Sequence, residues 1–195
     1  NTGELTALAD GNTINYNSAG NENVKVPTSN TYYNLSISNT NTKTIIGNTI
    51  VLGDLSITGT LNGSTYDIDV RGDWTNTGTF TTGSGTVTFN GTGDQTITNA
   101  SGEIFSNLTT NKATGDLILA NNVSVSGTLT MSLGNIDPGS NTLTLGINAG
   151  TVGTLVYTSG IVTGQFEKWA NATATVYTLP IGPSSDYRPI DIEFN

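Results

Sequence analysis

The sequence predicts an all-β chain wound as a β-solenoid: a right-handed parallel β-helix of about 20 residues per coil, closed by a C-terminal capping segment. Three observations carry this. Short apolar–polar alternations recur between clusters of Gly, Asn and Asp, with no helical period of 3.6. Apolar residues return at steps of 18 to 21. A longer repeat of 73 residues aligns "NTINYNSAGNENV" (12–24) with "GTVTFNGTGDQTI" (85–97), matching Thr13 with Thr86, Asn17 with Asn90 and Gly20 with Gly93.

The strands follow in order. In 33–37, Tyr33, Leu35 and Ile37 alternate with Asn34 and Ser36; 43–46 and 49–52 rest on Ile45, Ile50 and Leu52; 54–57 holds Leu55 and Ile57 around Ser56. In 66–70, Tyr66, Ile68 and Val70 alternate with Asp67 and Asp69, and in 85–89 Val87 and Phe89 alternate with Thr. The segments 95–98, 116–119, 122–125, 128–131 and 141–145 repeat the pattern. Each is about as long as one side of a coil.

The steps of about 20 residues place like side chains in ladders. Leu35, Leu55 and Trp74 are 20 and 19 apart, and Leu61 and Phe80 are 19 apart. Ile50, Ile68 and Val87 form a further inward ladder at 18 and 19, with Leu52, Val70 and Phe89 beside it. Leu108 with Leu129 and Val123 with Leu143 continue the pattern at 21 and 20. One coil cannot bury its own apolar face, so the unit must repeat. Two tandem β-sandwiches would also space strands closely, but ladders that persist over several coils favour the solenoid. Residues 1–160 are assigned to the repeats and 161–195 to a cap or the start of a second β module. Pro180, Pro183 and Pro189 and several aromatics gather in that last stretch, where the ladder is lost.

Composition narrows the function. The net charge is −9, with 6 Lys plus Arg against 15 Asp plus Glu, which opposes binding to nucleic acid or to an anionic membrane surface. No apolar run reaches the roughly 20 residues of a spanning helix, so no membrane insertion is expected. No signal peptide opens the sequence, so a mature form or an excised piece is expected. The absence of Cys gives no compartment signal. With no His or Cys, imidazole triads, His-ligated metals and thiolate chemistry are excluded. No cofactor and no metal site are expected.

The stretches "DWTNTGTFTTGSGTVTFNGTGDQTI", "FSNLTT", "VSVSGTLTM" and "TLPIGPSSDYRPI" resemble the repeats of large secreted surface proteins of Bacteroidetes bacteria, which carry G-x-W-x-N-x-G-x-F, T-V-x-F-N-G and Y-R-P elements in this order. The resemblance spans residues 12 to 195 and implies export across the outer membrane and display at the bacterial cell surface or in the extracellular matrix.

Several residues are candidates for a site. Asp67 and Asp69 share an outward strand face with Arg71, roughly 7 Å apart, a spacing open to a carboxylate pair or a calcium ion at a carbohydrate-binding surface. The structural alternative is a solvated face with Arg71 offsetting the charge. The pairs Thr58/Thr60, Thr77/Thr79 and Thr96/Thr98 step by 19, and a flat Thr ladder of that sort could order water and bind ice. However, two of them enclose Gly, a corner signal, and the step fails at Gly115 and Leu117, which favours outward Thr as plain strand formers. Tyr32, Tyr33, Tyr66 and Trp169 are candidates for stacking on sugars. In the closing "PIDIEFN", Ile190, Ile192 and Phe194 share one strand face that could add to a neighbour's edge. The expectation is a non-enzymatic stalk, adhesin or fibre module whose partners are neighbouring modules or identical subunits, with surface polysaccharide as a further partner. The alternatives are a polysaccharide-binding or polysaccharide-cleaving β-helix and, third, an ice-binding solenoid.

Overall fold

The structure, a computed structural model, describes residues 4–171 and 175–193. The chain climbs in coils of three short strands. The first coil holds β1 (Thr13–Tyr16), β2 (Glu22–Val24) and β3 (Thr31–Tyr32), and the second β4 (Asn34–Ile37), β5 (Thr42–Ile45) and β6 (Thr49–Val51). The third holds β7 (Leu55–Ile57), β8 (Thr60–Asn62) and β9 (Ile68–Val70), and the fourth β10 (Trp74–Asn76), β11 (Thr79–Thr81) and β12 (Thr86–Phe89). The fifth follows with β13 (Gln95–Thr98), β14 (Glu103–Phe105) and β15 (Asn107–Asn111), and the sixth with β16 (Leu117–Leu119), β17 (Val123–Val125) and β18 (Thr128–Leu133). The seventh is β19 (Ile136–Asp137), β20 (Thr142–Leu145) and β21 (Thr154–Tyr157). An eighth is partial: Val162 bridges Ile136, and β22 (Gln165–Lys168) pairs with β20. An antiparallel pair, β23 (Val176–Leu179) and β24 (Ile190–Glu193), follows.

Stacking joins the first strands of the seven complete coils into one parallel sheet, face 1, and their third strands into another, face 3; each has seven strands among the described residues. Face 2, made of the second strands, is broken in two: β2, β5, β8 and β11 on one side, β14, β17, β20 and β22 on the other. The expected solenoid is therefore present, and its stacked strands run past residue 160 to Lys168.

Alternation within each strand decides what is buried. Leu35, Leu55 and Trp74 pair in register on face 1, and each is buried. Leu61 with Phe80, Leu108 with Leu129 and Val123 with Leu143 also stack as expected. One ladder is displaced. On face 3, Ile68 and Val87 are aligned with Thr49, not Ile50, and Val70 and Phe89 with Val51, not Leu52. Thr49 and Val51 therefore point inward and Ile50 pairs with outward Asp69. A slip of one residue exchanges the two faces of a strand, so the apolar identity of Ile50 misled the alternation.

The 73-residue repeat has a different meaning from the ladders. Thr13 lies on β1 of face 1, whereas its repeat partner Thr86 lies on β12 of face 3. The two copies are eleven strands apart, which is three coils plus two faces, so repeated segments occupy different faces and do not stack on each other.

Close approach of the coils fixes some residues. A Cβ on Gly59 would lie 1.9 Å from the Asn39 carbonyl oxygen, and one on Gly78 would lie 2.1 Å from the Gly59 carbonyl oxygen. The T-G-T motifs are thus corners where only glycine lets one backbone rest on the one below.

Candidate functional site

Asp67 and Asp69 sit on the outward side of β9 and its entry, as expected, but each is engaged. Asp67 Oδ1 accepts the Thr86 backbone N–H at 2.8 Å, from the next coil. The Asp67 N–H in turn donates to Asn48 Oδ1 on the coil before, at 3.1 Å. Asp69 Oδ2 accepts from Asn90 Nδ2 at 2.7 Å, and its other oxygen lies 3.5 Å from Arg71 Nε. The two carboxylates bind neighbouring strands and do not converge on a common point.

This arrangement recurs at the corners. Asn34 Oδ1 accepts the Asp54 N–H, Asp54 Oδ1 the Asp73 N–H and Asp73 Oδ1 the Thr96 N–H, each at 2.8 Å. Asp94 takes the Asp116 N–H, Asn107 that of Thr128, and Asn122 that of Thr142. Every one of these acceptors lies one coil before its donor. Asn does more than Asp because its amide also donates. Asn34 Nδ2 reaches back to Thr13 Oγ1, and Asn107 Nδ2 to the Ser84 carbonyl. A single corner Asn thus joins the coil below and the coil above, which gives the Asn-rich composition a structural use.

Three lysines answer the turn carbonyls. Lys43, fully buried, donates to the Ser18 and Gly20 carbonyls at 2.9 and 2.8 Å, with Glu22 at 3.7 Å. Lys112 donates to the Gly91 and Gly93 carbonyls and to Gln95 Oε1. Lys168 donates to the carbonyls of Val152, Gly153 and Trp169. Burial pushes the Lys112 and Lys168 ammonium groups below the usual lysine range; for Lys112, Asp94, Asp116 and Asp73 pull in the opposite direction. A buried ammonium group needs this number of acceptors.

The break in face 2 is closed by side chains. Trp74, Phe80 and Phe105 meet edge-on or tilted, with ring centroids 4.9 to 6.1 Å apart. Within this cluster the buried Glu103 Oε2 accepts from Trp74 Nε1 and Asn76 Nδ2, both at 2.8 Å.

Of the sugar-stacking candidates, Tyr32 is fully buried: its hydroxyl donates to the Lys25 carbonyl and meets Tyr16 Oη at 2.9 Å. It packs inward because the β3–β6 register sets it beside inward Val51, whereas a sugar-stacking role required it to face outward. Burial raises its pKa well above the usual tyrosine range, with Tyr16 contributing. Tyr33 is half-buried, and a hydrogen bond to Asp10 holds its hydroxyl pKa above the ordinary value. Tyr66 and Trp169 are exposed. The Thr58 and Thr60 hydroxyls donate to the Ile37 and Thr40 carbonyls of the coil before, so this pair serves the corner and offers no free hydroxyl row.

At the C-terminal end, Ile190 and Ile192 are exposed on β24, which pairs antiparallel with β23; Phe194 lies outside the described residues. A cavity of about 360 Å³ opens between β21, β22 and β23, lined by Leu155, Tyr157, Lys168, Val176 and Leu179 among others. Among the described residues no group of three His, Cys, Asp or Glu side chains is placed to hold a metal ion, and no helix is long and apolar enough to cross a membrane. Sequence reasoning missed Glu103 and the buried lysines, because nothing local marks a charged residue as inward-facing. Comparison with protein-family models, curated proteins and solved structures finds no match.

Proposed function

We propose that this chain is a non-enzymatic structural or adhesive module of the extracellular space or bacterial cell surface, a rod that joins neighbouring modules or identical subunits end to end. The observation that carries this reading is the use made of the polar side chains. Asp67, Asp69, Asp54, Asp73 and the buried lysines are tied to adjoining coils. Groups engaged this way serve to hold adjoining coils together. The last strands of faces 2 and 3, β22 and β21, each have one paired neighbour among the described residues. Such edges favour strand addition, and head-to-tail contacts of this kind propagate into filaments.

Electron microscopy and light scattering of the chain, with and without residues 189–195, test the reading. Rods that lengthen with concentration, and shorten on deletion, support it. A chain that is monomeric at high concentration, and only loses stability on deletion, shows the terminal strand to be a cap. Polysaccharide turnover abolished by Asp67→Asn or Asp69→Asn would refute the non-enzymatic part.

One observation favours a second reading, polysaccharide binding. A polar groove of about 520 Å³ lies beside Arg71, Asn90 and Asn111, and Asn90 Oδ1 is buried next to it without a hydrogen-bond partner. Retardation of the chain in a polysaccharide-containing native gel, lost in Asn90→Ala and Asn111→Ala, is the outcome this reading expects.

A further inference from the structure

Face 3 changes character along its length. On β9 its outward side carries Asp69, with Arg71 just beyond. Over the next four strands, β12, β15, β18 and β21, the outward side chains are uncharged and largely threonine. Thr88, Thr109 and Thr130 stack directly: Thr88 pairs with Thr109, and Thr109 with Thr130. Two residues earlier on the same strands runs a second column of Thr86, Asn107, Thr128 and Thr154, aligned Thr86 with Asn107 and Thr128 with Thr154. The T-V-T of β12 and the T-L-T of β18 thus form parallel rows, with Val156 ending the first column after Thr130.

Strand geometry sets the mesh of this array. Stacked strands lie about 4.8 Å apart and alternate residues on one strand about 6.7 Å apart. These two repeats lie close to the oxygen–oxygen repeats on faces of hexagonal ice. Among the described residues the hydroxyls of Thr86, Thr88, Thr109, Thr128, Thr130 and Thr154 have no hydrogen-bond partner in the protein. On face 2 the Thr142 and Thr144 hydroxyls are engaged, meeting Gln165 and Glu167. What sets the face 3 threonines apart is that they form two adjacent columns in register. β-Branching restricts χ1, so methyl and hydroxyl positions are set by the sheet before any ligand arrives. At the break in the second column, the Asn107 amide is tied to the Ser84 carbonyl and the Thr128 N–H.

We propose that the outward surface of face 3 over β12, β15, β18 and β21 binds ice, its ligand being the water lattice at the crystal surface. The hydroxyls take lattice positions through ordered water, and the methyl groups between them hold that water in place. Each contact is weak, and the repeat makes many of them simultaneous. Charged side chains would keep a disordered hydration shell, and the array has none on these outward positions. Binding uses the side of the rod, so it does not depend on whether rods join at their ends.

The test is ice-affinity partitioning of the chain in a slowly grown ice front, together with the shape of single crystals in its solution. Thr109→Tyr and Thr130→Tyr place a bulky ring within the array; Thr75→Tyr places the same ring outward on face 1, where Ser56, Thr75 and Thr98 run in single file. Circular dichroism melting confirms which variants remain folded. The expected result is enrichment of the parent chain and of Thr75→Tyr in the ice, with faceted crystals, and loss of both effects in whichever array variants fold. Exclusion of the parent chain from ice overturns the proposal. Equal partitioning of array and control variants overturns it as well, as does binding to a crystalline polysaccharide with no effect on ice.

Discussion

Faces 1 and 2 are built from the same coils, yet one is continuous and the other is cut. On face 2 the strands β5, β8 and β11 open at Thr42, Thr60 and Thr79, steps of 18 and 19. The next opening, Glu103, comes 24 residues later, and the steps then return to 20 and 19 at Val123 and Thr142. The longer step includes a turn at 99–102, in which the Asn99 side chain accepts the Ser101 N–H and the Asn99 carbonyl accepts the Gly102 N–H. Face 1 keeps its pairing from β10 to β13 across the same level. A solenoid therefore survives the loss of one face's hydrogen bonds where the other two remain paired. An aromatic wedge, with a carboxylate to receive its polar edge, fills the opening.

Trp74 belongs to both regions, so its loss is the largest expected effect. Trp74→Ala should cost about 3–5 kcal/mol in denaturant unfolding. Leu55→Ala, which removes only a ladder position, should cost about 2–5 kcal/mol. If Leu55→Ala proves the more damaging of the two, the wedge contributes less than the ladder, and the comparison reverses. At the break alone, Glu103→Leu leaves Trp74 Nε1 and Asn76 Nδ2 without their acceptor and should cost about 1–3 kcal/mol. Glu103→Gln keeps an acceptor oxygen and should cost less. Wild-type stability in Glu103→Leu would mean that aromatic packing alone closes the gap.

The first coil gives a pH-dependent contrast. The folded Tyr32 hydroxyl has its pKa raised above the unfolded value, so its contribution is fully present below the ordinary tyrosine range. That contribution declines as pH rises through the ordinary value and continues to fall toward the raised one. Alkaline titration should therefore destabilise the parent chain more steeply than Tyr32→Phe, with melting followed by circular dichroism at each pH. Parallel curves would remove Tyr32 from the account. The smallest effects belong to the corners: Asp67→Ala should cost about 1 kcal/mol, by analogy with the loss of a helix cap. Asp67→Asn keeps the acceptor and should stay within about 0.5 kcal/mol.

Much of the fold was legible in the sequence wherever inward positions are apolar. Leu35, Leu55, Val123, Val125, Leu143 and Leu145 announce their strands. Strands whose inward residues are polar were hidden: β14 turns Glu103 inward and exposes Ile104, the reverse of what alternation suggests, and β8 and β11 each carry one apolar residue. The same cause displaced the ladder at Thr49 and Ile50. The outward placement of Asp69 was legible, but its engagement with Asn90 was not, because that partner is fixed by stacking and lies 21 residues away. The threonine array was equally hidden, since its columns appear only once β12, β15 and β18 are aligned.

The side-chain hydrogen bonds at the corners also give the chain a direction. In the links from Asn34, Asp54, Asp73 and Asp67, the earlier coil holds the acceptor and the later coil brings the backbone N–H. Lys43 and Lys112 likewise reach back to carbonyls of turns already laid down. A chain delivered amino end first would find each landing site complete before the next coil arrived. Only about one coil of loop entropy would be lost at each step. Such a molecule is suited to fold from its amino end, one coil after another.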